Sequence, residues 1–279
     1  MIKDLPRLNA IQILKQVNSN SVPLELMASD GEIYFAKTLF RYHPPLEDLI
    51  NEVLCHYLCK AWDIYVPEAA IISIRKEVLT SFANNNFIDK RYLESDIEKL
   101  QFFAVKKLED VHEFNRENLF IKNKRDFNKI SNPLDFIKIA VFDNWIANKD
   151  RRVSNPNLLL QEVGETFRLV PIDHVQAFAY QSNYKGLKPA LMNIFPTATL
   201  LVSGMLKSIC KFADSNKILN LEKLILRDME RSVLLLDDIF NRIPTEFGLS
   251  KAGKEKVREI LSDQARNARL SKIYLNYRK

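Results

Sequence analysis

The chain has 279 residues, 47% hydrophobic and 27% charged, which supports a sizeable core in one large or two modest domains and excludes a disordered chain. A formal net charge of +6 suits an anionic ligand such as a nucleotide, and equally nucleic acid or an acidic partner. No run approaches the roughly 20 apolar residues that span a bilayer, since the longest candidate, Ala198 to Leu206, is broken by Ser203 and Gly204.

The opening MIKDLPRLNA carries an acid and a proline and no long apolar stretch, so no secretory signal is expected and the cytoplasm is the expected location. Ile11–Gln16 and Val22–Met27 read as strands separated by a turn-rich Val17–Ser21. Asp30-Gly31 then turns the chain into an alternating strand over Ile33–Phe40, completing an antiparallel meander. Behind Pro44-Pro45, leucines at helical spacing predict a helix over Leu46–Trp62. It holds Cys55 and Cys59, which with Cys210 read as reduced, mostly buried thiols. Further strands are expected at Val66–Ile74 and Phe102–Leu108.

The second part is helical. Ser131 or Asn132 is placed to cap a helix that has Pro133 in its first turn and runs to about Ala147. A hairpin, Asn157–Leu160 and Thr166–Val170 around Gly164, follows. Helical patterns resume near Pro189, notably Leu221–Arg242 and Lys251 to about Tyr277, the latter capped by Ser250. Basic clusters at Lys122–Arg125 with Lys129, and at Arg266, Arg269, Lys272, Arg278 and Lys279, read as solvated faces; without interleaved aromatics they argue against nucleic-acid binding. Strands first and helices second predict an α+β protein of two lobes with a ligand cleft between them.

The chemistry concentrates in Asn148-Lys149-Asp150-Arg151-Arg152-Val153-Ser154-Asn155, a loop fixed between a helix and a strand. Phosphoryl transfer from ATP needs a carboxylate that orients the acceptor and an oxygen ligand that holds magnesium against the phosphates. Asp150 and Asn155, five apart on a loop, can divide those tasks. The hairpin's second strand ends at Asp173, which returns beside that loop and adds a second hard oxygen donor for Mg²⁺. Arg152 can reach a transferring phosphate. Singly, each of these residues fits a turn cap or a strand end equally well.

Asn148-Lys149-Asp150-Arg151-Arg152…Asn155-Pro156-Asn157-Leu158-Leu159 followed by Ile172-Asp173-His174…Ala177-Phe178 resembles the catalytic and metal-binding segments of HipA-like kinases. The likeness is to the shorter branch without the toxin's N-terminal extension, and more distantly to phosphatidylinositol kinases. The resemblance implies a bilobal protein-kinase-like fold, with an antiparallel-sheet N-lobe over residues 1–110 and a helical C-lobe over 111–279. It makes Asp150 the catalytic aspartate and Asn155 and Asp173 the magnesium ligands. Asp30-Gly31…Tyr34-Phe35-Ala36-Lys37 is similar to the family's strand bearing the ATP lysine, and Asn51-Glu52-Val53…Leu58…Val66-Pro67 to its next helix and loop.

Alternation supports Lys37 independently. It shares a strand face with Ile33, Phe35 and Leu39, and a lysine among apolar neighbours needs an anionic partner. Phosphate and Glu52 would supply one. The chain departs from common kinases in holding only six glycines, none before Gly31, so a phosphate loop at Asn18–Ser21 would work through Ser19, Ser21 and backbone N–H groups. Phosphate-loop serines are modified in the toxin family, which makes Ser19 and Ser21 candidates for that too. Main-chain groups near Phe103–Lys107 are expected to read the adenine edge. Leu158 or Leu160 forms its floor or is ordinary core.

The resulting expectation is an ATP- and Mg²⁺-dependent kinase acting on a protein serine or threonine. A lipid or small-molecule acceptor at the same site, and a catalytically weak nucleotide-binding interaction module, are the alternatives. The resemblance also implies a small neutralising partner protein.

Overall fold

A computed structural model of the chain describes residues 2–19, 21–40, 46–114, 121–180, 184, 186–188 and 199–278. Pro44 and Pro45, Asn20 of the candidate phosphate loop, the start of the late helical region over 189–198, and Lys279 lie outside the described residues.

Five strands come first: β1 (Arg7–Gln16), β2 (Leu24–Ala28), β3 (Ile33–Lys37), β4 (Ala69–Ser73) and β5 (Phe102–Lys106). They close into a barrel in the order β1-β2-β3-β5-β4, antiparallel except where β1 meets β4. Register breaks in β1 between Ala10 and Gln12 and between Ile13 and Lys15 bend this long strand enough to pair on both sides. Alternation sends Leu24, Leu26, Tyr34, Ala36, Ile72, Phe102 and Ala104 into one core. It turns Phe35, Lys37 and Phe103 to the opposite face.

Helix α1 (Leu46–Ala61) packs on that opposite face and belongs to the larger core. It is buried almost all round, which explains its many leucines. Between β4 and β5 lie α2 (Lys76–Ala83) and α3 (Lys90–Glu94), short helices whose Leu79, Phe82 and Tyr92 pack into the barrel core.

After β5 the chain forms β6 (Val111–Glu113), α4 (Lys124–Asn128) and α5 (Leu134–Trp145), then the hairpin β7 (Leu158–Val163) and β8 (Thr166–Pro171), with β6 pairing onto β7. Gly164 turns the hairpin at φ 59°, a conformation that costs glycine nothing. Neither Ser131 nor Asn132 caps α5 with its side chain. Pro133 holds that position, and the Asn132 amide instead donates to Asp135 at 2.7 Å.

The C-terminal part is α6 (Gly204–Phe212), α7 (Ser215–Leu234), α8 (Leu236–Arg242), α9 (Lys251–Ser262) and α10 (Gln264–Leu270), ending in a 3-10 turn over Ile273–Tyr277. The two long helices expected here are each interrupted. The first breaks at Leu235. The second starts on Ser250 as expected but restarts at Asp263, whose carboxylate accepts the Arg266 N–H at 2.6 Å. Arg266 is not on a solvated face: it is 1% exposed and donates to the Asn144 and Trp145 carbonyls at 2.8 and 2.7 Å, tying α10 to the end of α5. All three cysteines are free, with Cys55 and Cys59 buried. No described helix is long and apolar enough to cross a membrane.

Candidate active site

A cavity of about 470 Å³ opens between the outer face of the barrel and the β7–β8 hairpin. Its polar lining includes Ser19, Ser21, Lys37, Glu52 and Asp173. Its apolar lining includes Phe35, Val66, Phe103, Val105, Leu108 and Ile172. Alternation along β7 puts Leu159 in the lining, while Leu158 and Leu160, each 2% exposed, face the core. The candidate floor leucines are therefore core, and the residue between them faces the cavity.

Lys37 is the junction of the polar lining. Its Nζ lies 2.6 Å from Glu52 Oε1 and 3.4 Å from Asp173 Oδ1. Burial by itself would lower the ammonium's pKa, but the two carboxylates outweigh it and hold the group above its ordinary value, so Lys37 is charged. Glu52, on α1, uses its second oxygen to accept the His174 N–H at 3.1 Å. One carboxylate thus joins the barrel lysine, α1 and the residue that follows Asp173. Asp173 itself sits at φ 58°, a left-handed conformation that aspartate tolerates better than most residues.

The loop after α5 is organised by Arg151, which is 1% exposed. Its Nε pairs with Asp143 of α5 at 2.8 Å, its Nη1 donates to the Pro156 carbonyl at 3.1 Å and to the Asn157 carbonyl, and its Nη2 donates to the Ile172 carbonyl at 3.1 Å. Nη2 also lies 3.0 Å from His174 Nε2. A guanidinium can only donate, so Nε2 accepts and the imidazole proton is on Nδ1. Burial, then the Arg151 charge, keep His174 well below its ordinary pKa and therefore neutral. The hairpin closes with Ile172 N–H on the Asn157 carbonyl at 3.0 Å, and Asn157 Nδ2 donates to Asp150 Oδ2 at 2.9 Å. Asp150 and Asp173 are thereby held on the two sides of one hydrogen-bonded seam.

The structure bonds Lys37, Glu52 and Asp173 directly and puts Ser19 and Ser21, with hydroxyls 3.5 Å apart, in the same cavity. Asp150 is half-buried and is not part of the lining. Arg152 and Asn155 are exposed and are not brought to the cavity, because each main-chain N–H bonds the other's carbonyl, at 2.9 and 3.1 Å, in a tight turn that points them outward. Arg152 Nε donates to the Lys149 carbonyl at 2.8 Å.

The sequence reading missed Arg151 as the organiser. The adjacent Arg152 drew attention, and only the helix-to-hairpin topology shows which of the two turns inward. It also missed Asn157 and Asn51. Nor do the main-chain groups near Phe103–Lys107 stand free to read a base. β5 is a central strand paired on both sides, and the N–H groups of Lys106 and Lys107 go to Glu68 and Ile33 at 2.7 Å. The first peptide beyond the ladder is that of Leu108, which lines the cavity.

Among the described residues no cluster of three or more His, Cys, Asp or Glu is shaped to hold a metal ion by protein atoms alone.

No curated protein matches the chain. Among solved structures it is similar to the Helicobacter pylori proinflammatory kinase CtkA, with 16% identity over 98% of both chains and a TM-score of 0.49. It is also similar to HipA of Shewanella oneidensis MR-1, seen with HipB and operator DNA, at 12% identity and a TM-score of 0.48, covering 96% of this chain and 66% of that one. A Golgi casein kinase with Mn/ADP bound gives 11% identity and a TM-score of 0.47, over 98% of this chain and 73% of that one. The family model for HipA-like kinase matches residues 11–190, the segment that holds every candidate site residue above, and the chain belongs to that family.

Proposed function

We propose that the protein is an ATP- and Mg²⁺-dependent phosphotransferase that moves the γ-phosphoryl group to a protein serine or threonine. The observation that carries this reading is Lys37, bonded to both Glu52 and Asp173 in a cavity lined by polar and apolar residues together. A nucleotide likewise joins charged phosphates to an apolar base face. In this reading the barrel with its attached helices is one lobe, the hairpin and C-terminal helices are the other, and the base lies against Phe35 and Val105 with its edge at the Leu108 peptide.

Lys37 grips the phosphates and Glu52 keeps it extended from the strand. Asp150, oriented by Asn157, receives the acceptor hydroxyl. Asp173 would supply an oxygen ligand for the ion, which would neutralise charge on the phosphates, and Asn155 would have to turn in from its exposed position to add a second. Arg152, held outward on its exposed turn, would face the transferring group only if that turn rearranged. The hydroxyls of Ser19 and Ser21, which line the same cavity, are proposed to take the part that glycine amides usually play at the phosphates, and also to be sites of self-modification. The proposal includes a small protein partner, on family membership alone.

The test is phosphotransfer from labelled ATP, including autophosphorylation, in wild type against Asp150→Ala, Asp173→Ala and Lys37→Ala. Each substitution is expected to lower turnover by at least about 100-fold, the usual scale for removing a charge-stabilising group. Wild-type turnover in all three sinks the assignment. The serine-lined loop favours one second reading, a nucleotide-binding module of weak activity. Calorimetry would then show Mg²⁺·ATP binding that Lys37→Ala abolishes, without turnover. A screen of lipid and small-molecule acceptors separates the remaining alternative.

A further inference from the structure

Residue Asn51 precedes Glu52 on α1 and is 1% exposed. Its amide is fully used over long sequence separations. Nδ2 donates to the Val175 carbonyl at 2.8 Å and to the Ala177 carbonyl at 3.1 Å, and Oδ1 accepts from Tyr184 Oη at 2.9 Å. Only a carboxamide offers two donors and an acceptor in this plane; aspartate has no donor and leucine has neither. Together with Glu52, which takes the His174 N–H, two consecutive helix residues grip the segment immediately after Asp173 at three points.

Tyr184 fixes which way the amide faces. Its ring is 2% exposed, stands edge-on to Phe178 at 5.7 Å, and lies 3.1 Å from where a Cβ on Gly253 of α9 would be. Burial keeps its phenol well above the ordinary pKa, so the hydroxyl remains a donor. Neither Asn51 nor Tyr184 lines the cavity.

We infer that Asn51, with its amide oriented by Tyr184, is a positioning residue that holds the post-Asp173 segment against α1 and so keeps Glu52 and Asp173 aligned on Lys37. The inference rests on the phosphotransferase reading. Its physical basis is the narrow tolerance of a reacting geometry, in which a displacement of about 1 Å costs roughly 100-fold in rate. Asn51 acts through its neighbours and is not itself expected to touch nucleotide.

The experiment uses the full chain with Asn51→Leu and Tyr184→Phe, and Lys37→Ala as control, and measures kcat, KM for ATP, melting temperature and amide exchange at His174. Tyr184→Phe removes one oxygen from an otherwise unchanged ring, so it folds even if Asn51→Leu does not. The expected result for Tyr184→Phe is a melting temperature near wild type, kcat down about 3- to 10-fold, KM for ATP moved less than about 3-fold, and faster His174 exchange. Asn51→Leu is expected to lower kcat by about 100-fold. Wild-type kcat and His174 exchange in the folded variants overturn the inference. So does a kcat loss that only tracks the unfolded fraction. If wild type shows no phosphotransfer and Lys37→Ala binds ATP unchanged, the phosphotransferase reading fails, and His174 exchange alone then decides whether Asn51 holds the segment.

Discussion

Around Lys37 the charges do not balance. Glu52 and Asp173 are bonded to it, and Asp48, one turn earlier on the same side of α1, is 8% exposed with Oδ1 lacking any hydrogen-bond partner. Burial first, then the Glu52 charge, raise the Asp48 pKa from 3.8 to about 7, with Asp173 and Glu47 adding to the rise and Lys37 opposing it. Between these two values the native state holds a proton that the unfolded state has lost, so stability falls as pH rises through that window. Asp48→Asn carries no such proton. Its advantage over wild type in thermal unfolding is expected to grow from pH 5 to pH 8, reaching the order of a few kcal/mol. An advantage equal at both pH values would show that Asp48 is ionised throughout. At this scale the sequence was informative where pattern forces an environment. Lys37 declared itself by sitting on an apolar strand face, and Glu52 by its place in the segment that resembles the family's helix. Arg151 did not, because two adjacent arginines on a loop have no periodicity to say which is buried.

At the scale of elements, the end of α5 sets the start of the Asp150 loop. Asn148 N–H bonds the Asp143 carbonyl at 2.8 Å and Ala147 N–H bonds the Asn144 carbonyl at 3.3 Å, the paired bonds of a Schellman motif. The position that motif gives to glycine is held here by Ala147 at φ 52°. Ala147→Gly is expected to stabilise the fold by about 0.5–1 kcal/mol, less the extra freedom glycine brings to the unfolded chain. Denaturant midpoints check this, and a loss of stability would mean that the Ala147 methyl, 0% exposed, packs better than its backbone is strained. Strands and hairpin were legible because alternation and turn residues agree. The breaks at Leu235 and Asp263 were not, since apolar periodicity continues through both; α8 presents Leu236 and Ile239 to the core much as an uninterrupted helix would. The barrel was not legible either. Closure depends on β1 pairing with β4 across some sixty residues, a partner that no local pattern in β1 names.

At the scale of the whole molecule, α1 connects the barrel's outer face to the C-terminal helices, and its far end is fastened by charge. Asp228 of α7 is fully buried and pairs with Lys138 of α5 at 3.1 Å and with Arg231 at 3.2 Å. Lys138 also donates to the Trp62 carbonyl just beyond α1, and Arg231 reaches Asp63 at 2.8 Å. A buried ion pair is weak evidence of net stability, since each charge loses its hydration, but removing one partner strands the other. Asp228→Ala is therefore expected to cost about 3–5 kcal/mol in denaturant unfolding, because Lys138, whose side chain is 13% exposed, loses the carboxylate it pairs with. The double variant Asp228→Leu with Lys138→Met removes both charges and is expected to recover most of that loss. If the double variant is as unstable as the single one, the network's value lies in joining α1, α5 and α7 rather than in compensating a buried lysine. Activity then separates the two ends of α1. In the double variant, under conditions where it is folded, KM for ATP is expected to stay at the wild-type value, because α1 lines the cavity at Glu52 and His56 and not at Trp62. A raised KM there would mean that the anchor at Trp62 sets the position of Glu52 through the length of α1.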